Sequence, residues 1–376
     1  MLYYCGFDSF LQFRNLPDSG VYLHSLGDLV LDDHDAIINA YIGWCSLFLQ
    51  TAKDQIIFLG YSKNKRHNSL TVCSKVPKYI INIECGSKET FLLTLDSIIY
   101  KWSGFNFEKT PPVPVTFQES ENESHQIVNI GSFVIVAISK EVFLTDGEDS
   151  EHIDSIKPAI KVEQLSIGAV YSCILTDEKE AFLFDINELK LDKKITEQKI
   201  VQVSAGQEHL LLLTENGEVL SYGTGSRGQL GHGNIDDCLE KANVIEALNG
   251  VKCKAIAAGG WHSIALSEIG DVYVWGWNES GQLGFSREEI KTETTPKLLE
   301  VSEDDNFMAI GAGSRHSMAV SENGILFGWG WNKYGQLGMS PENVYFDSPN
   351  VIPFDYKVSN ISCKFWSSLI ETKNDS

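Results

Sequence analysis

The sequence predicts an all-β fold, a propeller in which similar blades stand around a central axis. Three observations lead there. One segment is written three times, at 205–231, 258–284 and 312–338. Each copy is made of short apolar runs of strand length, separated by glycine turns. The two ends of the chain read as complementary halves of one more copy.

The copies open at Ala205-Gly206, Ala258-Gly259 and Ala312-Gly313, so the glycines lie 53 and 54 residues apart. A fixed period of this length marks a repeat architecture. Counting the opening glycine as zero, His stands at +3 (His209, His262, His316) and Gly at +11 (Gly217, Gly270, Gly324). A further Gly stands at +17 (Gly223, Gly276, Gly330), and Gln-Leu-Gly begins at +23.

Copy two shows how the grammar builds a blade. Ser263 to Leu266 is a short apolar strand. Glu268-Ile269-Gly270-Asp271 is a turn, with Gly270 free to take positive φ. Val272-Tyr273-Val274-Trp275 is the returning strand, rich in β-branched and aromatic residues. The loop Gly276 to Gly284 then reverses the chain. Leu210 to Leu213 with Val219 to Tyr222, and Met318 to Val320 with Ile325 to Trp329, repeat the pattern. A unit of a few short strands cannot bury both faces alone. Packing such units radially buries both and leaves only short edges.

Residues 1–204 read as degenerate repeats. Ile42-Gly43-Trp44 and Cys85-Gly86 open weak copies, and fainter starts lie at Gly131 and Gly168. With 206, 259, 313 and a start in the tail at 364, the count is eight. The starts at 131 and 168 are crowded, so one of them could be an insertion, and seven or eight blades both fit. At the ends, Tyr4-Cys5-Gly6-Phe7 is shaped like Trp329-Gly330-Trp331, the second half of a repeat. Ile361 to Ile370 is shaped like the first half. Pairing of 361–371 with 1–13 would close a ring, making 1–376 a single propeller.

Bulk composition excludes several classes. The 51 acidic residues against 30 basic ones leave a net charge of −21, which repels phosphate. A nucleic-acid binder shows a basic face, and only Lys63–Arg66 and Lys190–Lys194 are locally basic; both read as solvated loops. Direct nucleic-acid contact is therefore not expected, and an acidic surface suits a basic protein partner. The eight cysteines form no CxxC pair and no zinc-spaced cluster, so buried free thiols in a reducing compartment are expected. The first 20 residues lack a secretory signal. The longest uncharged run, 36–52, is short for a membrane span and is interrupted by polar residues; it reads as two buried strands. An intracellular, soluble monomer with no membrane contact is expected.

The combination Gly-x-x-His, apolar strand, Gly-x-Val-Tyr-x-Trp-Gly and Asn-x-x-Gly-Gln-Leu-Gly resembles the repeat of the regulator of chromosome condensation family. The match is near complete over the three copies and faint over 1–200. That resemblance implies a seven-bladed β-propeller closed by both termini. Trp261-His262 with Trp275-Gly276-Trp277, and Arg315-His316 with Trp329-Gly330-Trp331, resemble one small propeller-only member more narrowly. The narrower resemblance implies a non-enzymatic partner of a JmjC-type histone demethylase/hydroxylase, acting in chromosome segregation on chromatin in the nucleus. The founding member of the family implies an alternative, guanine-nucleotide exchange on a Ran-type GTPase. The sequence opens inside a half-repeat, so the basic N-terminal arm of that member is not expected here.

No catalytic, cofactor-binding or metal-binding residue is expected. His209, His262 and His316 occupy one repeat position in different blades, so they cannot converge on one ion; each is expected to hydrogen-bond a loop within its own blade. Gly223-Thr224-Gly225-Ser226-Arg227-Gly228 fits GxGxxG in letters, but no helix follows the strand. No Ser-His-Asp order and no HExxH occurs. Trp275 with Trp277, and Trp329 with Trp331, read as inter-blade packing. Trp261 and Arg315 differ, because they fill the variable +2 position where copy one has Glu208. Variable loop positions on a rigid scaffold carry contacts, and Trp and Arg are favoured anchors. The candidate partner-binding set is therefore Trp261 and Arg315, with Asn278, Glu279, Lys333 and Tyr334 at the loop tips.

Overall fold

A computed structural model describes residues 2–6, 24–25, 37–42, 46–62, 65–73, 76–85, 89–95, 98–103, 111–114, 124–130, 133–138, 141–145, 154–156, 162–185, 190–301 and 306–372. These residues form eight four-stranded antiparallel sheets. Blade 1 is Ile37–Ile42, Ser46–Thr51, Ile56–Ser62 and Lys65–Val72. Blade 2 is Ile80–Cys85, Glu89–Thr94, Ile99–Ser103 and Val113–Pro114. Blade 3 is Ser124–Ile130, Phe133–Ile138, Glu141–Thr145 and Asp154–Ile156. Blade 4 is Val162–Ile167, Ser172–Thr176, Ala181–Asp185 and Lys190–Lys194. Blade 5 is Ile200–Ala205, His209–Thr214, Val219–Gly223 and Cys238–Val244. Blade 6 is Cys253–Ala258, His262–Ser267, Val272–Trp277 and Thr292–Leu298. Blade 7 is Phe307–Ala312, His316–Ser321, Leu326–Trp331 and Tyr345–Val351. Blade 8 joins Val358–Lys364 and Ser367–Thr372 to Leu2–Gly6 and His24–Ser25.

The all-β propeller class holds. The sheets number eight, one more than the seven the family resemblance implied, and equal to the starts counted along the chain. Each start falls, in sequence, at the junction between the first and second strands of its blade. The starts at 43, 86 and 131, Met1 and residues 7–13 themselves lie outside the described residues.

First strands of neighbouring blades touch, which places them innermost. Second strands are covered on both faces by adjacent blades. Hence His209–Thr214, His262–Ser267 and His316–Ser321 are buried at all six positions, and their sequences carry almost no charge. Fourth strands are outermost and largely open to water. In the uncharged run 36–52, Leu47, Phe48 and Leu49 of the second strand are fully buried. Ile38 of the innermost strand is 55% exposed, so the first of the two expected buried strands is not buried throughout.

The core lies between blades rather than inside any one. Leu211, Leu213 and Val219 of blade 5 pack with Ile256, Ala265 and Trp275 of blade 6. Ile264, Leu266 and Val274 of blade 6 pack with Ala319, Phe327 and Trp329 of blade 7. Tyr4 and Leu369 of blade 8 pack with Leu47, Leu49 and Ile57 of blade 1. In blade 8, Leu2 lies opposite Glu371 and Gly6 opposite Ser367.

Candidate protein-binding face

The turn between first and second strands and the loop after the third strand emerge at the same end of each blade. A backbone clasp ties them together. The residue after the +17 glycine donates its N–H to the carbonyl of the +2 residue: Thr224 to Glu208 (2.9 Å), Trp277 to Trp261 (2.8 Å) and Trp331 to Arg315 (2.9 Å). The glycines permit the approach. Gly276 has φ of 103°, and a Cβ there would sit 2.6 Å from the Trp261 carbonyl oxygen. Only glycine tolerates that conformation and that spacing.

Beneath the clasp, the repeat histidines stitch each blade to the next. His209 Nε2 lies 2.9 Å from Ser263 Oγ, His262 Nε2 2.9 Å from Ser317 Oγ, and His316 Nε2 2.9 Å from Ser368 Oγ. Each serine donates its one proton onward, to the carbonyl of Gln229, Gln282 or Gln336. The imidazole Nε2 must therefore be the donor in every case. This corrects the expected partner: it is a serine of the following blade, not a loop of the same one. The Gln229 and Gln282 carbonyls also accept the indole N–H of Trp275 and Trp329, each at 2.9 Å. In blade 8 the Cys5 thiol takes the indole's place and donates to the Gln336 carbonyl at 3.2 Å. Burial lowers the pKa of all three histidines to about 3, so the rings are neutral.

Above the clasp the side chains form a continuous run across blades 5 to 8. The Arg227 guanidinium carbon lies 4.7 Å from the Trp261 ring centroid and 4.6 Å from that of Trp277. Trp261 and Trp277 meet edge to face at 5.6 Å. Arg315 lies 4.9 Å from the Trp277 ring and 5.9 Å from the Trp331 ring. Trp331 meets Tyr334 at 5.2 Å and Trp366 at 4.8 Å. Arg227, Trp261, Arg315, Trp331, Tyr334 and Trp366 are half-buried, and Trp277 is buried.

The structure thus brings together Trp261, Arg315 and Tyr334 from the predicted set. Glu279 and Lys333 are exposed loop-tip residues at the same end. Asn278 does not belong there and is corrected. Its side chain is fully buried, its amide donating to the Phe285 and Ile290 carbonyls and its carbonyl accepting from Leu283 N–H. Asn332 repeats that pattern with Met339, Ser340 and Leu337. Sequence reasoning missed Arg227, Trp366 and the second tryptophans, Trp277 and Trp331. Trp275 and Trp329 pack between blades as expected, while Trp277 and Trp331 turn to the arginine run. The signal was present in offsets: Trp366 holds the same +2 position as Trp261 and Arg315, and Arg227 the same position as Tyr334.

Among the described residues, no group of three His, Cys, Asp or Glu side chains could hold a metal ion, and no helix is long and apolar enough to cross a membrane. What the face offers is aromatic area, fixed charge and a rigid frame, the ingredients of protein capture.

Profiles of the regulator of chromosome condensation (RCC1) repeat match residues 216–266, 270–320 and 323–363 in one version, and 200–229, 253–282 and 309–336 in a second. Residues 200–363 of this β-propeller are thus similar to regulator of chromosome condensation repeats. RCC1 domain-containing protein 1 from Mus musculus is 35% identical over 212 residues, covering 46% of this chain and 56% of the relative. The protein of that name from Homo sapiens is 34% identical over 209 residues, covering 45% of this chain and 55% of the relative. The chain thus spans little more than half the length of these curated relatives. Prp20p from Saccharomyces cerevisiae, whose crystal structure was described with its binding to Gsp1p and histones, covers 100% of this chain and 92% of its own at a TM-score of 0.66. Its 17% identity makes that a likeness of fold.

Proposed function

We propose that this chain is a non-enzymatic protein-binding propeller that captures its partner on the end carrying the Arg227–Trp366 run. One observation carries the reading. Seven aromatic and cationic side chains from four blades form one half-buried surface, held by a backbone clasp repeated in blades 5, 6 and 7. Rigid aromatic and arginine anchors are what interface hot spots are made of. The contact set is Trp261, Arg315 and Tyr334, with Glu279 and Lys333 at the rim. The partner class we infer is a JmjC-type oxygenase, with a role in chromosome segregation and a nuclear or cytoplasmic location. Its support is the resemblance of the 205–338 repeats to one small member of the repeat family, and the similarity of the chain to the relatives named RCC1 domain-containing protein 1.

Affinity purification of the tagged chain from cells, read by mass spectrometry, tests the partner class. Trp261→Ala and Arg315→Ala should each weaken capture by about 2 kcal/mol, roughly thirtyfold, with the ring still folded. Undiminished capture by the double variant would sink the assignment of this face. Catalysed nucleotide release from a Ran-type GTPase would replace the reading with exchange activity.

A further inference from the structure

We infer that the element recognised on this face is an acidic peptide segment, whose carboxylates are taken by Arg227 and Arg315 on either side of Trp277. The inference rests on the reading of this end as the binding face and adds the chemistry of the bound segment.

Both guanidiniums lie within 5 Å of the Trp277 ring centroid, which keeps them within about 10 Å of one another. Their charge is directed at indole rings, yet stacking does not consume a guanidinium's five N–H donors. Among the described residues, neither side chain makes an ion pair or a side-chain hydrogen bond. Acids outnumber bases 51 to 30, so an arginine has an ample supply of carboxylates to pair with. Three cations do pair: Lys179 bonds Glu163 at 2.7 Å, Lys194 bonds Glu197 at 2.8 Å, and Arg287 lies 3.7 Å from Asp347. Arg227 and Arg315 are instead pre-positioned on aromatic rings with their donor edges uncommitted. An arginine held by stacking loses little side-chain entropy when a carboxylate arrives, and bidentate pairing follows from its planar fork.

The same geometry argues against a nucleic acid. Single strands are held by stacking bases on open aromatic faces. Trp277, at the centre of the run, is 8% exposed and carries two guanidiniums and the edge of Trp261 against its ring, which leaves little open face for a base. A chain of net charge −21 also repels a long polyanion, while a short acidic segment meets only the local field of the two arginines. Glu208 and Glu279, at the same end, would confine such a segment to the strip between the arginines by like-charge repulsion.

The test uses the full chain and three fluorescein-labelled twelve-residue probes, read by fluorescence anisotropy at low salt. The probes are an alternating Glu-Ser peptide, its Gln-Ser counterpart and oligo-dT. The Glu-Ser peptide should bind at least tenfold more tightly than the Gln-Ser peptide and than oligo-dT. Arg227→Gln and Arg315→Gln should each reduce its binding at least tenfold. Arg→Lys at either position should restore only a minor part, because charge returns without the planar fork. Circular dichroism of each variant checks that the sheets persist. Equal binding of the Glu and Gln probes, no measurable binding of the Glu probe, or preference for oligo-dT would each overturn the inference. If Glu-probe binding fails while Trp261→Ala still abolishes partner capture, the face stands and only its chemistry is wrong. If Glu-probe binding fails and the Trp261→Ala/Arg315→Ala double variant leaves capture intact, both readings fall.

Discussion

His209, His262 and His316 show how a polar residue can be structural and still control behaviour in solution. Each is fully buried and neutral, with Nε2–H given to a serine of the next blade. Their pKa falls from 6.5 to about 3 on folding, chiefly through burial. Below pH 6.5 the unfolded chain therefore binds protons that the folded ring refuses. Stability is fully present above that pH and is lost as the pH falls toward 3, with up to three protons taken up on unfolding. Urea midpoints measured between pH 7 and pH 4 should fall steadily, and a His262→Gln variant should show a shallower fall. A pH-independent midpoint would contradict the buried neutral state. The structural role of these histidines was legible in the sequence, because one residue type recurred at one offset. Their partner was not. Ser263, Ser317 and Ser368 lie 54, 55 and 52 residues downstream of the histidines they meet, and radial adjacency makes that distance vanish.

Among elements, the three well-formed copies were readable strand by strand, since glycine punctuation and β-branched runs coincide there. The front half was readable only as starts, because its loops lack the Gln-Leu-Gly signature. The binding run was half legible for a related reason. Trp277 and Trp331 carry both packing and surface roles, and a period of two cannot tell the ring end of a strand from its middle. The clasp that aims these residues makes its own prediction. Gly276→Ala must place a Cβ 2.6 Å from the Trp261 carbonyl, at a φ of 103°. Gly250, at φ of 86°, has open space around it. Gly250→Ala should therefore cost about 1–3 kcal/mol from backbone strain alone. Gly276→Ala should cost more and also weaken partner capture, as read by denaturant titration alongside the binding assay. Equal costs at the two sites, with capture unaffected, would show that the clasp does not position Trp261.

The whole molecule is a closed series of interfaces, and its seal is blade 8. Tyr3 and Cys5 are buried against Ile361 and Ile370, with Tyr3 edge-on to Phe354 at 4.6 Å, and the Tyr4 hydroxyl shares a hydrogen bond with Ser367 at 2.7 Å. Blade 8 keeps the repeat grammar even where residue types change, as Cys5 shows in the place of an indole. Tyr3→Ala should lower the unfolding free energy by about 3–5 kcal/mol, the usual loss for a large buried aromatic. It should also expose the strand Ser367–Thr372 to limited proteolysis. An unchanged midpoint with no new cleavage would mean that this pairing adds nothing to stability.

That seam has a consequence for biosynthesis. Leu2–Gly6 is synthesised about 360 residues before its partner Ser367–Thr372. At about 5–20 residues per second, the opening strand waits roughly 20–75 s for its match. Throughout that interval the face carrying Tyr3 and Cys5 lacks its native cover, so co-translational folding must leave this seam until last among the contacts it makes.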